Sequence, residues 1–246
     1  MIADPNVQLR VLDLQSVDTA LSQLAHRRTS LPELAIIADC ESRAAELRLQ
    51  LVEAETAVAD LESEQRRLES DIDTVRQRAD KDQQRLVAVG VPAKEVAGLQ
   101  HEVASLARRQ SSLEDELLDL MERREAADAD VARLSAQVAE IAGQRAAAEA
   151  ERDRAWAAID ADVAMRTEER AALSADLPAD LAALYDKIRQ ANGGVGAAML
   201  KQRRCEGCRL ELAGNELSAV RSAKADEVLR CENCRRILIR TAESGL

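Results

Sequence analysis

The chain of 246 residues carries a net charge of −11, and it holds one Trp, one Tyr and no Phe. A compact globular domain of this size fills its interior with aromatic rings, so the composition points to long helices built from Ala, Leu, Glu and Arg. Residues 201–246 hold ten Lys/Arg against seven Asp/Glu, whereas residues 1–200 hold 24 against 38, which excludes nucleic-acid contact along most of the chain.

No run of ~18 apolar residues is present, so no membrane span is expected. The N-terminal MIADPNVQLR lacks the basic and apolar regions of a secretory signal. Four clustered thiols and a lone Cys40 suit a reducing compartment, and a cytoplasmic location is expected.

Asp4-Pro5 predicts a helix start, with Asp as N-cap and Pro in the first turn. The helix covers 5–29, with Val7, Val11, Leu14, Val17, Leu21 and Leu24 near one face. Ser30 and Glu33 have capping-box spacing, and Pro32 bars one continuous helix. A second helix is expected to start there, which lets the first bend away and pack on the base of a longer helical rod.

From Ile37 to Val89 an apolar repeat runs at alternating spacings of three and four residues, broken only by Gln65 and Asp82. A repeat averaging 3.5 keeps one narrow stripe toward a partner helix. It stops at Gly90-Val91-Pro92, a helix-terminating combination. A second stripe then runs from Val96 to Ile141, broken by Gln110 and Arg124. Two such stripes joined by a short turn predict an antiparallel coiled-coil hairpin over about 33–173, turning near 88–95, with arms of roughly 80 Å. Gln65 and Arg124 are expected to fix its register, and Cys40 is read as a small seam residue. A last helix at 179–191 ends at Asn192-Gly193-Gly194, and Gly193, Gly194 and Gly196 predict a flexible connection.

Cys205/Cys208 and Cys231/Cys234 form two CxxC pairs separated by 22 residues. Each pair can hook a metal from one turn of backbone, and together they complete an all-sulfur tetrahedron. Flanking strand-like runs at 209–212 and 236–240, with a turn at Gly214-Asn215, predict a zinc ribbon over 197–246. One structural Zn²⁺ held by four thiolates leaves no open position for water. It would supply on the order of 10–16 kcal/mol to a module too small to fold alone. The expected fold class is therefore mainly α. A long antiparallel coiled-coil hairpin carries short packed helices at its base (helical domain 1–196) and a small C-terminal β zinc ribbon.

Leu184-Tyr185, Gly193-Gly194-Val195-Gly196, Cys205-Glu206-Gly207-Cys208 and Cys231-Glu232-Asn233-Cys234-Arg235-Arg236-Ile237-Leu238 resemble a family of bacterial proteins. These join a long coiled-coil hairpin to a C-terminal C4-type zinc ribbon. The resemblance covers essentially the whole chain and matches the four cysteines to the family's zinc ligands. It implies a nucleic-acid-binding role for the ribbon, or an adaptor role of the kind some members play in flagellar or secretion-system regulation. The family usually has Gly where this chain has Arg235.

Lys201, Arg203, Arg204, Arg209, Arg235 and Arg236 are the candidate nucleic-acid or partner contacts, with Arg230 and Arg240 nearby. Together they could grip phosphates of DNA or RNA. Two features oppose this. Four thiolates and Zn²⁺ carry a formal −2, and the ribbon lacks an aromatic stacking platform. The alternative is that these side chains offset the sulfur charge and pair with Glu206, Glu211 and Glu232. A metal-positioning tip is excluded, since Val87–Glu95 offers only Glu95 as a carboxylate. The two histidines, His26 and His101, lie far apart among polar helical residues, and no phosphate-cradling loop is present.

The expectation is a non-enzymatic zinc-binding adaptor. Its coiled coil docks protein partners, or self-associates, and its ribbon contacts nucleic acid or nucleic-acid-handling machinery. The alternative is a pure protein scaffold or chaperone-like adaptor whose zinc is only structural.

Overall fold

A computed structural model describes residues 1–89 and 92–246. The turn residues Gly90 and Val91 fall outside the described residues. The element order is α1 (Pro5–Thr29), α2 (Pro32–Leu86), α3 (Ala93–Ala175), α4 (Ala179–Ala191), β1 (Ala197–Lys201), β2 (Arg204–Cys205), α5 (Gly214–Ser222), β3 (Leu229–Arg230) and β4 (Ile237–Ile239). The chain divides into two compact units, Ala35–Ala148 and the combination of Met1–Leu34 with Glu149–Leu246.

In the first of these units α2 and α3 form the coiled coil. Every α2 position of the apolar repeat from Ile37 to Leu86 is buried or half-buried, and Val89 beyond the helix is exposed. The α3 positions from Val96 to Ile141 behave alike. Ion pairs fix the direction: Arg85 meets Glu95 at 3.7 Å, Arg78 meets Glu102 at 2.7 Å and Arg145 meets Glu41 at 3.4 Å. Numbers rise on one helix as they fall on the other, so the helices are antiparallel. These exposed pairs add little stability each. Buried seam side chains such as Leu113 and Leu120 contribute on the order of 2 kcal/mol each.

The two polar interruptions meet. Arg124 donates to Gln65 Oε1 at 3.1 Å and pairs with Glu62 at 3.4 Å. A one-heptad slip would set Gln65 against Leu117 or Val131 and Arg124 against Val58 or Ile72, so this pair selects the register at some cost in stability. Cys40 is buried in the seam. Asp82, also buried there, pairs with Arg85 at 3.6 Å.

In the other unit α1 lies against the C-terminal end of α3 and against α4. Asp4 Oδ1 accepts from the Asn6 N–H at 2.8 Å, the expected N-cap. The expected Ser30–Glu33 capping box is not made. Ser30 instead closes α1: its hydroxyl donates to the His26 carbonyl and its N–H to that of Arg27. Trp156 sits between the guanidinium groups of Arg28 and Arg152, at 4.9 and 4.7 Å, and its indole N–H donates to the Arg28 carbonyl.

Four short strands form one sheet in the order β2-β1-β4-β3, with β1 and β4 parallel and the other pairs antiparallel. Alternation along β4 divides two cores. Ile237 and Ile239 join Val11, Leu14, Leu181, Tyr185 and Ala197 in one cluster. Leu238 faces the other way, with Ala198, Leu200, Leu212, Val220, Cys205 and Cys231. The sequence pattern predicts a strand at 209–212 and a turn at Gly214-Asn215. The structure has only an isolated Arg204–Glu211 bridge there, and Gly214 begins α5. Leu217 and Val220 pull that segment onto the second cluster at helical spacing.

The connection from α4 to β1 is fixed where flexibility was expected. Gly193 and Gly194 take left-handed φ values of 64° and 93°, and Gly194 N–H donates to the Arg189 carbonyl. The buried Gln15 of α1 holds the start of β1 in place. Its Oε1 accepts from Gly196 N at 2.7 Å, Ala197 N at 3.2 Å and the Tyr185 hydroxyl at 3.2 Å. Next to it, the Asp18 side chain is buried. It accepts from Tyr185 at 2.7 Å, Arg170 at 2.8 Å and Arg189 at 3.2 Å. Burial first, then Asp18, pushes the Tyr185 phenol well above its ordinary range.

Two outcomes test this packing. A Cβ on Gly196 would stand 2.7 Å from the Tyr185 ring and 2.8 Å from its carbonyl oxygen. Gly196→Ala therefore lowers stability by about 1–3 kcal/mol in urea unfolding. Arg124→Leu combined with Gln65→Leu raises the coiled coil's melting temperature, whereas Arg124→Ala alone lowers it, as read by circular dichroism.

Candidate metal centre

Each cysteine pair sits on a tight backbone knuckle, and the two knuckles repeat one pattern. Arg209 N–H donates to the Cys205 carbonyl at 2.7 Å, and Arg235 N–H to that of Cys231 at 2.9 Å. Cys205 N–H bonds to the Leu210 carbonyl, and Cys231 N–H to that of Arg236, both at 3.0 Å. Closing these turns forces Arg209 and Arg235 to φ values of 61° and 62°. Glycine takes that region freely, whereas an L-residue pays about 1 kcal/mol.

The sheet and α5 bring the knuckles together. Cys205 ends β2, and Cys231 directly follows β3. Glu216, buried in the first turn of α5, accepts the Glu232 N–H at 2.9 Å and so anchors the second knuckle. No motif in the sequence marks Glu216. Only its position on a helix, where the sequence pattern suggests a turn, gives it this role.

Cys205 Sγ lies 3.8 Å from Cys234 Sγ, and Cys208 Sγ 3.9 Å from Cys231 Sγ. All four sulfurs lie within 4.8 Å of one another. A tetrahedron with zinc–sulfur bonds of about 2.3 Å has edges of about 3.8 Å, whereas a disulfide needs about 2.05 Å. The donor set therefore fits one zinc ion. Cys205 and Cys231 are buried, and Cys208 and Cys234 are half-buried. Burial pushes the thiols of Cys205 and Cys231 above their ordinary range. Burial opposes ionisation at Cys234 as well, but hydrogen bonds from Arg236 and the neighbouring thiols outweigh it and draw this thiol lower. Zinc bound by four thiolates would have no position left for water and would serve as a structural cross-link of the ribbon.

The basic side chains divide sharply. Arg236 donates to the carbonyls of Val195 at 3.1 Å, Gly207 at 3.2 Å and Asn192 at 3.1 Å. Arg240 binds carbonyls at the end of α5, among them Ala223 at 2.9 Å. Arg203 donates to the Gly245 carbonyl and Arg230 to that of Arg235. Lys201 pairs with Glu243 at 2.8 Å. The alternative pairing of these arginines with Glu206, Glu211 and Glu232 is not formed among the described residues; backbone carbonyls take Arg203, Arg230, Arg236 and Arg240 instead. Arg204, Arg209 and Arg235 are exposed and have no side-chain partner among the described residues.

The description "CT398-like coiled coil hairpin domain" matches residues 14–193, and "C4-type zinc ribbon domain" matches residues 204–238. The chain belongs to the CT398-like coiled-coil hairpin family. It is 39% identical over 233 residues to the uncharacterized protein Rv2229c of Mycobacterium tuberculosis, covering 95% of each chain. A solved structure from Mycobacterium smegmatis is 36% identical with a TM-score of 0.88, covering 98% of this chain and 100% of that one. The structure of CT398 from Chlamydia trachomatis shares the fold at 20% identity and a TM-score of 0.69, over 96% of this chain and 98% of that one.

Within this CT398-like ribbon, Cys208→Ser removes one of four ligands. Zinc content, read by atomic emission on the purified protein, is expected to fall from one ion per chain to well under half. Arg235→Gly relieves the left-handed strain. It keeps the zinc and raises the ribbon's stability by about 1 kcal/mol.

Proposed function

We propose that this zinc-binding protein is a non-catalytic adaptor whose working contacts are with other proteins, the zinc ribbon serving as a rigid head. One observation carries this reading. Arg236, which reaches the first knuckle, and Arg240, at the end of α5, are engaged with backbone carbonyls of the protein itself. A guanidinium fixed in this way is not available to grip a phosphate bidentately. The metal centre lends support, because four sulfur ligands leave no reactive position.

A second reading has its own observation. Arg204, Arg209 and Arg235 are exposed beside the knuckles and unpaired among the described residues. They offer a small phosphate-binding set, half the size of the one read from sequence.

Mobility-shift titration of the full-length zinc-loaded protein with single- and double-stranded DNA and RNA, at low salt, separates the two. Counterion release favours any phosphate contact under those conditions. The adaptor reading expects no shift at micromolar protein. A shift that weakens steeply with salt and disappears in the triple variant Arg204→Ala, Arg209→Ala, Arg235→Ala would replace it with the second reading.

A further inference from the structure

The outward surface of α2 carries a second regular stripe that α3 leaves uncovered. Ala45, Leu49, Val52, Thr56, Ala59 and Ser63 succeed one another at alternating spacings of four and three, and all are exposed. This is the spacing of the buried seam, rotated to the opposite side of the helix. The stripe bears no charge over about 27 Å of helix. In its middle Leu49 is 69% exposed and Val52 60% exposed. Further along the same face the pattern becomes charged, at Arg66, Asp73 and Asp80. A solvated coiled-coil face normally carries charges throughout.

The flanks of the stripe identify its occupant. Glu46, Glu53 and Asp60 run along one edge at intervals of seven, and none has an ion-pair partner among the described residues. On the other edge, which runs through Glu41, Arg48, Glu55 and Glu62, Glu55 and Arg48 have no ion-pair partner among the described residues, while Glu41 and Glu62 meet Arg145 and Arg124. An antiparallel second copy would set the Glu46, Glu53 and Asp60 edge against itself, and like charges across a helix interface repel.

We infer that residues 45–63 of α2 are a docking track for a basic amphipathic helix of a partner protein. The partner's heptad-spaced apolar side chains seat on Leu49 and Val52, and its Lys or Arg residues pair with Glu46, Glu53 and Asp60. Ala45 and Ala59 let the two backbones approach closely. This inference rests on the adaptor reading and gives it a location.

The probe is a synthetic helix of about 20 residues with Leu at the a and d positions and Lys at e and g. A scrambled peptide of identical composition is the control. Fluorescence anisotropy monitors binding to the full-length zinc-loaded protein at about 0.15 M salt. The ordered peptide is expected to bind and the scrambled one not. Leu49→Glu with Val52→Glu weakens binding at least tenfold, as does the set Glu46→Gln, Glu53→Gln, Asp60→Asn. The same change at the exposed α3 pair, Leu118→Glu with Met121→Glu, leaves it unchanged. All these side chains are exposed, and unchanged helical circular dichroism verifies folding. Equal binding of the scrambled peptide, or full affinity in the Leu49/Val52 variant, overturns the track.

Photocrosslinking in cells, from benzoylphenylalanine placed at Thr56 and separately at Arg209, divides the remaining cases. A Thr56 adduct on a basic, heptad-patterned segment supports the track, and an adduct on another copy of the chain overturns it. Protein adducts from Arg209 alone overturn the track and leave the adaptor reading standing. Adducts from neither position overturn both.

Discussion

The ribbon depends on four sulfur atoms from two distant knuckles converging on a space of one zinc ion. Strands of two to five residues are far too short to hold a sheet by themselves. The metal centre supplies the missing constraint by tying the end of β2 to the segment between β3 and β4. Two of the sulfurs are also walls of the second core, since Cys205 and Cys231 pack with Leu200, Val220 and Leu238. Metal binding and core packing are therefore one event, as expected for a module this small.

The same sheet is what attaches the ribbon to α1 and α4. Because β4 is buried on both faces, Ile237 and Ile239 carry the metal-held strand into the cluster built on Leu14 and Tyr185. The polar groups within that cluster are matched. Asp18 accepts hydrogen bonds from Tyr185, Arg170 and Arg189, and Gln15 satisfies the backbone of the glycine connection. Removing any one partner would leave a buried polar group uncompensated. Arg236 works in the same sense, bridging the first knuckle to the segment after α4. The chain thus uses arginine as internal scaffolding, which bears directly on what its surface can bind.

The coiled coil was legible in the sequence because its signal is a period. The spacing alone places the seam from Ile37 to Leu86 and marks Gln65 and Arg124 as its polar interruptions, whereas their meeting across the seam is a finding of the structure. The zinc ligands were legible because sulfur chemistry demands a fixed spacing. What could not be read was governed by tertiary contact. No strand is marked by the sequence at Ala197–Lys201, yet it becomes an inner strand of the sheet because Ala197 and Ala198 fit one into each core. Gly196 looks like freedom of motion, yet it is required by the close approach of Tyr185. The arginine cluster looked like one basic surface, and only the positions of the backbone carbonyls separate Arg236 from Arg209 and Arg235.

The account is tested most directly by removing zinc from the reduced full-length protein with a chelator and recording amide hydrogen exchange along the chain. It predicts that protection is lost at Leu200, Val220 and Leu238 while the seam amides of α2 and α3 keep theirs. Undiminished protection across residues 198–238 in protein verified to be metal-free would contradict it.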